Sequence, residues 1–378
     1  MQDINLQKIV LAITTVELTA KSPDPSVGQN ARFRLEPVMN QQQQALCNEL
    51  EQLVLPACNE AIGPAPNNTS YNFLLTDYQE YDFQKNGTAV SAACVALQAA
   101  AITGKKTTGL VIGQLGAHGE LKLPAYSWAM LLQLREHNGS RVVMPTDAAK
   151  LLPGFLTMDQ SDFFIRHDVF CAKNATELIA FSAATPEPRI ARALDAFAEI
   201  RAKAPPALGP FLTNPFVIKR LESIVQEAPE FASAQLLLVQ ARGQRPSEFS
   251  STIASQAIHH ALQPLMWLVG SDFSRTEPQT VDTERVQLSH EQCRESLDAM
   301  SKWIASADRK NYERAIEFAN SARAYARACK SLQSGVINNE ATTRKNANDT
   351  IRALRNDVPP LMRQWARISS DNLSLIHI

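Results

Sequence analysis

The chain has 378 residues, 45% of them hydrophobic and 20% charged, with a formal net charge of -1. That length accommodates two or three domains with cores of their own. A near-neutral balance excludes a global pull toward nucleic acid or anionic membranes.

Lys8 stands alone behind acidic Asp3, and the apolar run at 9–13 is too short for a signal-peptide core, so no secretory leader is expected. No apolar stretch approaches a membrane span in length, and a cytoplasmic protein is expected. The β-branched run Ile9-Val10-Leu11-Ala12-Ile13 predicts a strand. Residues 41–62 place Leu46, Leu50, Leu53 and Val54 at helical spacing, and 71–83 alternate as a strand does. Residues 88–103 are apolar and small, which predicts a buried helix close against a sheet. Residues 108–113 read as a strand entering a glycine turn. Residues 127–137 read as a helix closed by Asn138-Gly139. Short strands follow at 141–145 and 168–171, then a helix at 175–181.

Pro186 and Pro188 mark a change of texture, and almost everything beyond them reads as helix. Residues 216–227 and 232–241 form a helix–turn–helix resembling one tetratricopeptide-like hairpin, opened by Asn214-Pro215. Helices are predicted over 247–269, 290–307, 310–332 and 342–367, with Pro359-Pro360 breaking or kinking the last.

The six cysteines make no Cys-x-x-Cys pair and sit among apolar or helical neighbours, which predicts buried free thiols and no zinc site. His259 and His260 are adjacent on a helix and diverge, so they make a poor metal pair. His118 and His167 read as polar surface groups in turns. No metal or cofactor is expected.

Two stretches carry a resemblance to a known family. The first runs from Asn86-Gly87-Thr88-Ala89-Val90-Ser91-Ala92 to Ile102-Thr103-Gly104. The second runs from Gly113 through Gly119 and Trp128 to Val142-Val143-Met144-Pro145. Their glycines, spacing and apolar pattern resemble the proteolytic domain of the Lon family. There the first stretch reads Asp-Gly-Pro-Ser-Ala-Gly and ends in Leu-Thr-Gly, and the second ends in a strand closing on Ile-Pro. The resemblance implies a ribosomal protein S5 domain 2-like α/β fold over residues 1–184, followed by an all-α domain over 186–370. Ungapped, it sets Ala89 at the family's serine and Trp128 at its lysine. The chemistry needs both, a hydroxyl to attack and a buried neutral amine to take its proton. A chain lacking both is implied to be non-catalytic, with Gly87, Thr88, Ala89, Ser91, Gly113 and Trp128 left as a vacant peptide groove open to strand addition. A Lon-type serine peptidase using displaced residues or a partner subunit is the alternative. Ser91 then lies about 200° round the helix from Ala89, with Thr88, Ser127, Lys85, Lys105 and Lys122 nearby in sequence.

No Walker motif is present, so no ATP is expected; Gly113–Gly119 lacks the Gly-Lys-Ser/Thr of a phosphate-binding loop. Arg323, Arg327 and Lys330 fall at i, i+4, i+7 and line one helix face, suited to phosphates or an acidic partner. The sequence therefore points to an adaptor or scaffold with a protein or peptide partner. Self-association and a nucleic-acid-associated role through the basic face stay open. The tail Leu373–Ile378 resembles the peptide encoded by a common sequencing-library adapter and is expected to make no packed contacts.

Overall fold

Strands end early in this chain and helices take over, yet the two regions do not separate where the sequence texture changes. The computed structural model describes residues 4–10, 15–21, 32–36, 41–66, 69–75, 87–116, 118–270, 277–335 and 339–366. It divides into two compact units, residues 1–246 and 247–378. The first is α/β and the second is helical, with no strand among its described residues. The tail at 373–378 lies outside the described residues.

A seven-stranded mixed sheet organises the first unit, in the order β3-β4-β2-β1-β5-β8-β9. Its strands are β1 (Ile4–Val10), β2 (Thr15–Lys21), β3 (Arg32–Glu36), β4 (Ser70–Leu75), β5 (Leu110–Val111), β8 (Arg141–Pro145) and β9 (Asp168–Ala172). β1, β5, β8 and β9 run parallel, while β2 pairs antiparallel with both β1 and β4. A separate two-stranded ribbon joins β6 (Gln114–Leu115) to β7 (Leu121–Lys122).

Helices cover the sheet: α1 (Gln41–Ile62) lies over β3, α2 (Ser91–Thr103) over β1 and β2, and α6 (Ala175–Ser182) over β8 and β9. α2 is buried continuously from Ser91 to Ala100, as its alanine-rich composition dictates, because small side chains let its neighbours approach from every side. One polar group interrupts this surface. Gln98 is fully buried, and among the described residues neither atom of its amide has a hydrogen-bond partner. A buried unpaired amide costs roughly 1–3 kcal/mol. Gln98→Leu is therefore expected to stabilise the first unit by about 1–2 kcal/mol in denaturant titration, and a loss of stability would show a partner for the amide.

Glycines are required at two crossings of this unit. Gly109 has φ +91°, and a Cβ there would lie 2.4 Å from the Arg141 carbonyl oxygen. Gly139 was expected to cap a helix in the left-handed conformation, but α3 (Ser127–Leu134) ends earlier, at a C-cap of Arg135. Gly139 instead makes room for backbone, since a Cβ would come within 2.3 Å of the Arg166 carbonyl oxygen.

The helices beyond Pro188 do not begin a new compact unit, so the boundary expected at 184–186 marks only a change of secondary structure. α7 (Pro188–Lys203), α8 (Leu208–Leu212), α9 (Pro215–Glu227) and α10 (Ala232–Ala241) belong with the sheet. The reason is the open edge of β9. The Cys171 N–H donates to the Glu230 carbonyl at 2.9 Å, and the Val169 N–H donates to Ser233 Oγ at 3.0 Å. Ser233 Oγ in turn donates to the His167 carbonyl at 2.6 Å. Phe231 stacks on Phe170 with ring centroids 4.5 Å apart and planes at 9°. The tetratricopeptide-like hairpin α9–α10 is thus the cover of a sheet edge, occupying donors that an edge strand otherwise offers to other chains.

Ionic contacts tie the same edge to α7. Arg201 pairs with Asp168, and its Nε donates to the Ile165 carbonyl at 2.6 Å. Arg141, on β8, donates to the carbonyls of Ala183 and Phe181. His167 is no surface group. It is fully buried against Phe163, and burial holds it neutral, down to about 4. The apolar cluster of Phe155 on α4 (Pro153–Thr157) with Phe163 and Phe164 on α5 (Asp162–Arg166) closes over it and gives a turn histidine a core position. His118 is exposed, as expected.

The second unit packs α11 (Ser251–Leu262), α12 (Thr283–Met300), α13 (Arg309–Ser334) and α14 (Glu340–Ala366). α14 runs through Pro359 and Pro360 without a break. Its buried stripe Ala347, Ile351, Leu354, Val358, Met362, Trp365 continues past both prolines, and that packing holds the helix where propensity alone ends it. Gln256 on α11 caps its end, donating from Nε2 to the Ala366 carbonyl at 2.7 Å. Among the described residues no helix is long and apolar enough to cross a membrane.

Candidate functional site

The two positions that the resemblance sets at a Lon catalytic dyad, Ala89 and Trp128, are both buried. Residues Gly87–Val90 form a single 3-10 turn that leads into α2, so Thr88, Ala89 and Ser91 stand at the start of the buried helix. Ala89 is buried, with only 6% of its surface exposed. Thr88 is half-buried, and its carbonyl accepts the Ser91 hydroxyl proton at 2.7 Å. Ser91 Oγ also accepts the Leu115 N–H at 2.7 Å. The hydroxyl is wholly buried, and both its proton and a lone pair are engaged. It staples the turn to the β6–β7 ribbon, which is what a buried serine at a helix start does when a backbone N–H needs a partner.

Gly113 meets this assembly from the other side. A Cβ there would stand 3.3 Å from both Ala92 Cβ and the Pro145 ring, so helix, strand end and ribbon close tightly. Gly87, Thr88, Ala89, Ser91 and Gly113 are therefore drawn together. Trp128 is buried on α3, with its indole 5.8 Å from the Phe155 ring, in the Phe155–Phe163–Phe164 aromatic cluster. An indole at that place supplies packing area and has no basic lone pair to offer.

Most residues available for a displaced dyad have other partners or stand exposed. Ser127 Oγ donates to the Pro124 carbonyl at 2.6 Å and is fully buried. Lys105 is exposed. Lys122 is exposed and pairs with Glu120, and that contact holds the Glu120 carboxyl down to about 2. Lys85 and Asn86 lie outside the described residues.

Thiol chemistry is disfavoured by the same kind of burial. Cys47, Cys58, Cys94, Cys293 and Cys329 are buried, Cys171 is half-buried, and none is bonded to another. Desolvation pushes Cys58, Cys171 and Cys293 up to about 12, Cys329 to about 11, and raises Cys94 as well. Such thiols are poor nucleophiles and poor ligands at neutral pH. Among the described residues no three His, Cys, Asp or Glu side chains gather as a metal site.

The second unit holds a different feature, which the sequence marked only as a helix face. Arg323, Arg327 and Lys330 on α13 are exposed and form one wall of a cleft of about 100 Å³. The other wall is the first turns of α12, with Thr283, Glu284 and Gln287, and Ala326 is apolar lining between the cations. Sequence reasoning found the three cations by spacing. It missed the opposing wall, because nothing in local pattern says which helix lies alongside.

No protein family's sequence profile matches the chain, and no curated protein is significantly similar to it.

Proposed function

We propose that the protein is a non-catalytic cytoplasmic adaptor or scaffold whose first unit is a degenerate Lon-like domain of the ribosomal protein S5 domain 2-like type. One observation carries the loss of catalysis. At the turn where the family keeps its nucleophile stands buried Ala89, and the nearest hydroxyl on α2, Ser91, is committed to the Thr88 carbonyl and the Leu115 N–H. Trp128 fills its place in an aromatic cluster rather than supplying a base. With neither group available no acyl-enzyme forms, and loss of one member of such a pair already removes orders of magnitude in rate. What remains is an α/β body with a helical hairpin, whose expected role is to hold a protein or peptide partner.

Purified protein is expected to leave unfolded casein intact, and to take no label from fluorophosphonate probes, with or without ATP. Ser91→Ala is expected to cost about 1–3 kcal/mol of stability, since it leaves the Leu115 N–H unpaired in the interior. Hydrolysis by the wild-type chain that this substitution abolishes, with the fold intact by circular dichroism, would overturn the reading and restore the peptidase alternative.

A further inference from the structure

We propose that the cleft between α12 and α13 binds a phosphate monoester group, a role independent of the Lon-like reading of the first unit. Helix α13 carries six basic residues against two acidic ones, and its stretch from Phe318 to Ser334 has three basic and no acidic residues. Those three, Arg323, Arg327 and Lys330, are the ones in the cleft. On a helix they fall within about 60° of arc and span about 10 Å. Among the described residues none of the three has an ion-pair partner. By contrast, Arg309 pairs with Glu313, Arg294 with Asp298 and Arg344 with Glu340. The neighbouring Arg285 stacks on the Trp267 ring, 4.3 Å from its centroid. Several charges elsewhere in the unit are thus offset or stacked, while the cleft gathers three cations on one wall against one carboxylate.

Charge and size narrow the ligand. Three cations and Glu284 leave the cleft a net charge near +2, which matches the -1.5 to -2 of a phosphate monoester at neutral pH. A single carboxylate leaves part of that charge unmatched. Arginine forks suit two oxygens of one phosphoryl group, and Lys330 adds a point charge beside them. A room of about 100 Å³ is large enough to admit one such group. A nucleic-acid strand is a poorer fit. Glu284, Glu291 and Glu295 share one exposed face of α12, and a continuous polyanion leaving the cleft along that helix runs onto those carboxylates.

The test is calorimetric titration of the full chain at physiological salt with inorganic phosphate, free phosphoserine, a Gly-Ala-phosphoserine-Ala-Gly peptide and its unphosphorylated counterpart. Phosphate and the two phosphoserine ligands are expected to bind with Kd of roughly 0.1–1 mM, and the unphosphorylated peptide is expected not to bind. Arg323→Ala with Arg327→Ala is expected to weaken binding at least about tenfold, Glu284→Gln to strengthen it, and Arg314→Ala, on α13 outside the cleft, to leave it unchanged. A phosphopeptide binding more tightly than free phosphoserine assigns the source to a modified protein, and equal affinities assign it to a small phosphorylated metabolite. The proposal is overturned by the absence of binding at about 10 mM ligand. It is overturned equally if Arg314→Ala weakens binding as much as the cleft variants do. A short DNA duplex that binds more tightly than either phosphoserine ligand, through the same residues and with steep salt dependence, would assign the cleft to nucleic acid instead.

Discussion

Phe231→Ala is expected to destabilise the first unit by about 3–5 kcal/mol. Its ring is fully buried between Phe170 of β9, at 4.5 Å, and Phe197 of α7, at 4.8 Å. Removing it opens a cavity between sheet and hairpin, and such sites relax only in part. The loss is not confined to packing. The Phe231 backbone bridges to Phe170, and the adjacent Glu230 and Ser233 hold the outward N–H groups of Cys171 and Val169. Loosening the hairpin therefore uncovers a parallel edge strand. Hydrogen exchange at Val169 and Cys171 is expected to speed up with that at α9 and α10, and the variant is expected to aggregate on heating. Denaturation in which α7–α10 melt while β8 and β9 keep their protection would instead put a domain boundary at Pro186.

The boundary shows what was legible in the sequence. Period and composition located the buried helix α2, the helix at 41–62, the strands near 141 and 168 and the helical region after Pro188, because each is decided by local pattern. The strands at Thr15–Lys21 and Arg32–Glu36 carry only a short period-2 signal, and it is their packing in the sheet that buries Val16, Leu18 and Phe33 in the core. The unit boundary was not legible. It depends on Ser233 and Glu230 meeting strand N–H groups some 60 residues away, and no local period encodes that. The site divides in the same way. The absence of a hydroxyl at Ala89 and of an amine at Trp128 is visible in the residues themselves, whereas the Ser91 staple and the α12 wall of the cleft exist only once the chain is folded.

The second large effect is on pH. His167 is fully buried, its Nδ1 accepts the Ser140 N–H at 3.3 Å, and its Nε2 lies in the interior without a hydrogen-bond partner among the described residues. Burial is the main cause of its depression to about 4, and the Arg166 charge adds to it. An unfolded histidine takes up its proton near pH 6.5. Between these values the unfolded chain binds more protons than the folded one, so stability falls as the pH falls. The neutral ring's contribution is complete above about pH 6.5, declines below it and is gone by about pH 4, an effect of about 3 kcal/mol in all. His259 is likewise held at about 4 by burial, with His260 beside it, and gives the second unit the same dependence. Stability measured by urea titration from pH 7 to pH 4 should lose this slope in part when His167 is replaced by Gln, which keeps an acceptor for Ser140 but cannot titrate. An unchanged slope in His167→Gln would show that the proton uptake belongs to other groups.

The buried thiols have a practical consequence. Each compact unit contains its own sealed chemical clock, Cys47, Cys58, Cys94 and Cys171 in the first and Cys293 and Cys329 in the second. A maleimide or disulfide reagent reacts with thiolate, and burial keeps these sulfurs protonated until the chain around them opens. The labelling rate at each position therefore counts local openings. Mass spectrometry of the labelled peptides resolves the breathing of one unit from that of the other within a single sample, with no engineered probe.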